Sequence, residues 1–336
     1  MGINGLITYI TKYGNSNPVT ERIVGKTIHN TRVIYLDALS KLIEIYNQYM
    51  NGIEIPKTYE GLFQYEIEKF TTYLEKISYY KRRVNVFIDY HFTGKIEIDE
   101  LLFKQYLPQP TEEYKDKPEE WYNYLMRVKC KEHKIAVRRK QIERKTGEPY
   151  EDNIFRKLVH NSSAFVEELR NNSKLSNVSF YGCSIEADFA MAKHIHTYGR
   201  DVYPIIITTD TDLLALLCDV NCIVKFSVGR KTYFINPIEF WASVFKTNNL
   251  SHTTIKMLCV MKGIDFNMVD NFIKIKTFDE ALTRLNIKSF ENLTDADLYA
   301  YFYKYFETYK YFEESKYTAL ALNLYLINME NTFYEL

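Results

Sequence analysis

Short apolar runs that end on an acid, each followed by a segment with helical spacing, recur along this chain. Met1–Tyr13 is apolar and glycine-bearing and predicts a short helix. Arg32–Leu36 (RVIYL) predicts a first strand, closed by Asp37. Ala38–Met50 follows with Leu39, Leu42, Ile43, Tyr46 and Met50 on one helical face. A second helix is predicted over Tyr65–Tyr80, with Ile67, Phe70, Leu74 and Ile77 as its stripe. Val84–Ile88 is the next strand, and Asp89 closes it. Val178–Tyr181 is a further short strand; a turn at Gly182-Cys183-Ser184 leads to a helix opened by Glu186-Ala187-Asp188. Pro204–Ile207 is β-branched and reads as a strand buried on both faces. Thr208 and Thr209 end it, Asp210 and Asp212 follow, and Leu213–Leu217 begins a helix with Thr209 as its expected N-cap. Val220–Val228 and Thr232–Ile235 predict a hairpin across Gly229-Arg230, followed by helices at Pro237–Phe245 and Thr254–Met261.

Strands alternating with helices predict an α/β fold with a mostly parallel central sheet. Asp37, Asp89, Asp210 and Asp212 then fall at the carboxyl edge, where open α/β sheets build their sites. A lone strand-end acid is ordinarily a cap or part of a solvated turn, and acids in a first helical turn, such as Glu186 and Asp188, favour the helix dipole. Several such positions on one edge concentrate negative charge that needs compensation, and a divalent cation with oxygen ligands supplies it. Asp265 adds to the pattern: it lies just past a predicted helix C-terminus, beside Gly263, where an acid has no capping role.

The pattern lapses over 92–163. There Met126–Lys145 has helical spacing and nine Lys/Arg against two Glu, a local net of +7. On composition alone this is a solvated surface helix. Hung over a carboxylate site it is a grip for a polyanion, with Lys134, Arg138, Arg139 and Lys140 as phosphate contacts. The aromatic stripe of 295–329 reads as core rather than as a base-stacking platform.

Composition sets limits. The 336 residues are 46% hydrophobic and 15% aromatic, enough for a substantial core. Basic and acidic residues balance at 43 each, so net charge lends no support to nucleic-acid binding, although its distribution does. The five cysteines form no C-x-x-C pair, which favours buried thiols over zinc. No signal peptide, membrane span or myristoylation pattern is expected, since Leu6 stands where the last would need Ser or Thr. No glycine-rich phosphate loop is present, against a nucleotide enzyme on a doubly wound sheet.

Taken in order, Asp37, Asp89, Glu186, Asp188, Asp210, Asp212 and Asp265 resemble the acid set of the flap endonuclease (XPG-type) 5′ nucleases. Met1-Gly2-Ile3-x-Gly5-Leu6 matches the family's start, and S-x-E-A-D at 184–188, T-D-T-D-L-L at 209–214 and K-G-I-D-F at 262–266 carry the likeness. The block from Phe180 to Leu216 is most similar to the flap-endonuclease-like proteins of large DNA viruses, the poxvirus type especially. The resemblance implies a PIN-like core over 1–91 and 164–280, a helical arch over 92–163 and a helical C-terminal region over 281–336 packing on the core. It implies a 5′ nuclease that cuts flapped, nicked or branched DNA with two Mg²⁺ ions, Mn²⁺ substituting, in DNA replication, recombination or repair. The seven acids would be its metal ligands and catalytic residues, with Glu186, Asp188, Asp210 and Asp212 nearest the metals and Asp37, Asp89 and Asp265 acting partly through water. Gly2, as the free amino terminus after loss of Met1, and Lys95 would join the DNA contacts. Other replication or recombination proteins would be partners. The location would be intracellular: the host cytoplasm for a poxvirus-type protein, the nucleus otherwise.

The likeness has gaps. The family's Lys and Arg soon after the second strand-end acid are missing, and the basic helix comes some forty residues later. The residues after Asp265 lack the family's glycine-rich helix-turn-helix, and no sliding-clamp motif closes the chain. Two other readings stay open: a 5′→3′ exoribonuclease of the same clan, and a non-catalytic DNA-binding scaffold on the nuclease fold.

Overall fold

The computed structural model describes residues 6–13, 33–52, 57–79, 82–89, 112–117, 120, 139–140, 142–144, 146–183, 187–228, 231–246, 251–262, 280 and 283. Its centre is a six-stranded sheet in the order β3-β2-β1-β4-β5-β6. The strands are β1 (Val33–Asp37), β2 (Arg83–Asp89), β3 (Val178–Cys183), β4 (Ile205–Thr208), β5 (Ile223–Val228) and β6 (Lys231–Ile235). All neighbours pair in parallel except β5 and β6, which form the expected antiparallel hairpin. This is the α/β architecture, a mostly parallel sheet flanked by helices, that the alternation predicts. The chain leaves β1 toward β2 on one side and returns to β4 on the other, so a crevice opens between β1 and β4 at their carboxyl ends.

Side chains alternate across the sheet, and each face has its own cover. After the short helix α1 (Leu6–Tyr13), Ile34 and Leu36, Val84, Val86 and Ile88, and Phe180 pack into one core with the helices α2 (Ala38–Asn51), α3 (Tyr59–Ser78), α4 (Ile154–His160) and α5 (Ser162–Arg170). Ile142, Tyr150, Phe155 and Leu158, all between 92 and 163 in sequence, belong to that same core. Tyr35, Phe87 and Tyr181 face the other way, against His194 at the end of α6 (Ala187–His194). The Tyr35 hydroxyl and His194 Nδ1 share a hydrogen bond of 3.1 Å. Burial, with a smaller push from Arg83, lowers the His194 imidazole to about 4, so it is neutral at pH 7. The two histidines expected at the surface or in packing are therefore packing residues: His196 also lies against the protein, its Nε2 3.1 Å from the Leu216 carbonyl.

Local boundaries differ from the sequence reading for identifiable reasons. Helix α3 starts six residues earlier than the apolar stripe suggested, because the Thr58 hydroxyl caps it by accepting from Gly61 N–H at 3.1 Å. Strand β3 runs on through Gly182 and Cys183, where a turn was expected, because both keep parallel partners on β2 in Ile88 and Asp89. The helix α8 (Pro237–Phe245) begins as read, with Asn236 capping Ile238 and Glu239. No helix among the described residues is long and apolar enough to cross a membrane. Cys183, Cys218, Cys222 and Cys259 are buried thiols in no disulfide, and burial pushes the Cys218 thiol up to about 12.

One residue breaks the buried stripe of α3. Glu66 is wholly buried, and neither carboxylate oxygen is hydrogen-bonded. Burial raises its carboxyl well above the ordinary 4.5, and the charge of Lys41 only partly offsets this. The folded chain therefore keeps a proton on Glu66 that the unfolded chain gives up once pH passes 4.5. The unfolded state binds fewer protons there, so stability falls as pH rises above that value. Glu66→Met, close in volume and free of the unmatched polar group, should stabilise the fold by about 1–3 kcal/mol at pH 7. Urea denaturation of both proteins at pH 4.5 and pH 7 checks this; a gain that does not grow with pH would contradict a protonated Glu66.

Candidate active site

The carboxyl ends of β1 and β4 build the site. Asp37 is the last residue of β1 and at once the N-cap of α2: its Oδ1 accepts from Leu39 N–H at 3.2 Å. Strand and helix thus meet at one side chain, which holds Asp37 at the sheet edge. On β4, the buried Thr208 hydroxyl accepts from Asp210 N–H at 2.9 Å and donates to Asp37 Oδ2 at 3.5 Å. Asp210 Oδ1 in turn accepts from Asp212 N–H at 3.2 Å, and Asp212 is the first residue of the five-residue helix α7 (Asp212–Leu216). Asp37, Asp210 and Asp212 are thereby strung along one hydrogen-bonded path across the β1/β4 crevice.

Thr209, expected as an N-cap, does something else: its hydroxyl bonds to Ser40 Oγ in the first turn of α2. This hydroxyl pair is a second side-chain bond across the same crevice, beside the Thr208–Asp37 bond. Asp188 sits in the first turn of α6, where the helix dipole favours it, and is buried. Asp37, Asp188 and Asp212 are all at most 8% exposed. Asp89 ends β2 beside Cys183 of β3, two positions beyond Phe87, the residue paired with Asp37, so its position falls on the Asp37 face of the sheet. Its side chain, Glu186 and Asp265 lie outside the described residues. The helix α9 (His252–Lys262) ends three residues short of Asp265 and packs on α7. Burial raises the Cys259 thiol of α9, helped by Cys218 and then by the charge of Asp212, so Cys259 is within electrostatic reach of that carboxylate.

Short helix α7 is held from behind. The indole N–H of Trp241, on α8, donates to the Leu214 carbonyl at 2.7 Å in the buried interior. Its ring stacks on Phe245 with centroids 5.5 Å apart.

The donor chemistry suits a hard cation: among the described residues, buried carboxylates and hydroxyls gather where β1 and β4 end. Among the described residues no group of three or more His, Cys, Asp or Glu side chains could by itself hold a metal ion.

Of the expected DNA contacts, Arg139 and Lys140 are described, and both are exposed. Arg139 lies over the Tyr150 ring at 5.2 Å and pairs with Glu151 at 3.6 Å. Gly2, Lys95, Lys134 and Arg138 lie outside the described residues, as do most of the basic helix and the aromatic tail.

Sequence reasoning missed Thr208 and Ser40. The signal for Thr208 was available: a hydroxyl two residues before Asp210 is the local pattern by which Ser and Thr bond a nearby backbone N–H. Ser40 had no such signal, because its partner is 169 residues away.

No protein-family model and no curated protein matches the chain. Among solved structures, human GEN1 in complex with Holliday junction DNA is similar, with a TM-score of 0.43 and 8% identity over 90% of this chain and 59% of that one. The chain thus spans about three-fifths of the GEN1 chain. A bacteriophage T5 flap endonuclease, in a pseudo-enzyme–product complex with DNA and metal ions, is similar with a TM-score of 0.42 and 14% identity, over 88% of this chain and 89% of that one.

Proposed function

We propose that this chain is a divalent-metal-dependent 5′ nuclease that hydrolyses phosphodiester bonds in flapped, nicked or branched DNA. The observation that carries the reading is the path Asp37–Thr208–Asp210–Asp212, which gathers acids from two strands at the switch point of the sheet. Ordered acids far apart in the sequence, in the sequence order of the flap endonuclease set, supply the rest. Glu186, Asp188, Asp210 and Asp212 would stand nearest the cations, with Asp37, Asp89 and Asp265 acting partly through water.

Held by these carboxylates, a divalent cation such as Mg²⁺ would supply an activated water and charge neutralisation at the departing oxygen. The chain's own part is positional. Strand β1 and the α2 cap fix Asp37; the Thr208 hydroxyl sets the turn that presents Asp210 and Asp212. Exposed cations such as Lys140 on the 92–163 segment would attract the backbone of the nucleic acid.

A substrate panel tests the reading. In Mg²⁺ or Mn²⁺ the purified protein should cut 5′-flapped or nicked DNA and lose that activity in EDTA. Cleavage of single-stranded RNA with none of flapped DNA would move the assignment to a 5′→3′ exoribonuclease. Binding of branched DNA without cleavage of any substrate would move it to a scaffold.

A further inference from the structure

We infer that Thr208 is a positioning residue of the site: its side chain locks Asp37 of β1 and the Asp210–Asp212 turn of β4 into one arrangement before any cation binds. The inference rests on the nuclease reading above and adds to it a residue that carries no charge and ligates nothing.

The argument starts from the hydroxyl's own accounting. A Ser or Thr hydroxyl has one proton to give and lone pairs to receive with. Thr208 is 4% exposed, so it is shielded from bulk water. Its oxygen receives the Asp210 N–H at 2.9 Å, which leaves its proton to be placed, and Asp37 Oδ2 lies in reach at 3.5 Å. Asp37 Oδ1 is already engaged by Leu39 N–H. With one oxygen on the α2 cap and the other facing Thr208, the Asp37 carboxylate has little freedom to rotate. The same hydroxyl fixes the backbone at Asp210, whose carboxylate then receives Asp212 N–H at 3.2 Å. One buried group therefore sets the orientation of an acid on β1 and the register of two acids after β4. A valine would fill the same space and give neither bond; a serine would give both. Groups that orient metal ligands from behind ordinarily change metal affinity by 10–100-fold.

Two measurements on the full chain test this. The first uses no metal. Hydrogen exchange in the metal-free protein should show the Asp210 amide protected in wild type and in Thr208→Ser, and exchanging roughly tenfold faster in Thr208→Val. The second titrates Mn²⁺ alone, read by electron paramagnetic resonance. Thr208→Val should bind Mn²⁺ at least about tenfold more weakly than wild type, with Thr208→Ser restoring most of the loss. Wild-type affinity in Thr208→Val, or equal loss in the serine and valine variants, overturns the inference while leaving the metal site standing. A wild-type chain that takes up no Mn²⁺ overturns the nuclease reading, and this role with it. Should Thr208→Val fail to fold, wild-type exchange decides: a protected Asp210 amide supports the clasp, and a fast-exchanging one overturns it.

Discussion

Replacing Asp210 and Asp212 together by asparagine should abolish cutting of 5′-flapped DNA while the chain stays folded. Asparagine keeps size and shape but gives up the charge that holds a divalent cation. A cation in such a site supplies several kcal/mol of transition-state stabilisation, and each 1.36 kcal/mol is tenfold in rate, so a loss of about 10³-fold or more is expected. Folding should survive because the change removes buried negative charge: Asp212 is 1% exposed, and its carboxylate is costly to bury in the absence of a cation. The Asp210 side-chain oxygen that accepts from Asp212 N–H survives as the amide carbonyl, so the turn is kept. Initial cleavage rates and thermal denaturation of the same preparations check both halves. Residual activity within about tenfold of wild type would be too much for a site that depends on these carboxylates.

Trp241→Ala should be the most damaging single change to the fold. The ring is 1% exposed, packs between Phe240 and Phe245, and its N–H holds the Leu214 carbonyl. Truncation leaves a large cavity and an unmatched carbonyl beneath α7, a cost of about 3–5 kcal/mol. Trp241→Phe keeps most of the packing and loses the hydrogen bond, at about 1 kcal/mol. Because α7 starts at Asp212, both variants should also weaken divalent-metal binding in the order Ala, then Phe. Denaturant midpoints with a common slope would give the stability difference; a Trp241→Ala cost below about 1 kcal/mol would mean α7 is held by something else.

How much of this was legible beforehand follows from the range of the interactions. The strands announced themselves because fully buried parallel strands are continuous apolar runs, as in Ile205–Ile207, and the acids stood out because they end those runs. Sheet order was not legible: nothing local in Val33–Asp37 says that β4, some 170 residues later, lies beside it. Helix α3 began before its apolar stripe because a cap, Thr58, rather than a hydrophobic residue sets its start. Nothing in the sequence sets Glu66 apart from Glu60, Glu68 and Glu75, and only the tertiary packing buries it. The clasp at Thr208 needed both facts at once, the local hydroxyl pattern and the strand neighbour. Of the carboxylates expected at the site, those of Asp37, Asp188, Asp210 and Asp212 are described, and the placement of Glu186, Asp265 and the Asp89 side chain remains a proposal.

An anomalous difference map from crystals of the wild-type protein soaked in Mn²⁺ tests the central claim most directly. Density should appear at the carboxyl edge of β1 and β4, against Asp210, Asp212 and Asp188, with Glu186 drawn in beside them. Ordered Mn²⁺ bound elsewhere on the protein, with those carboxylates bare, would contradict it.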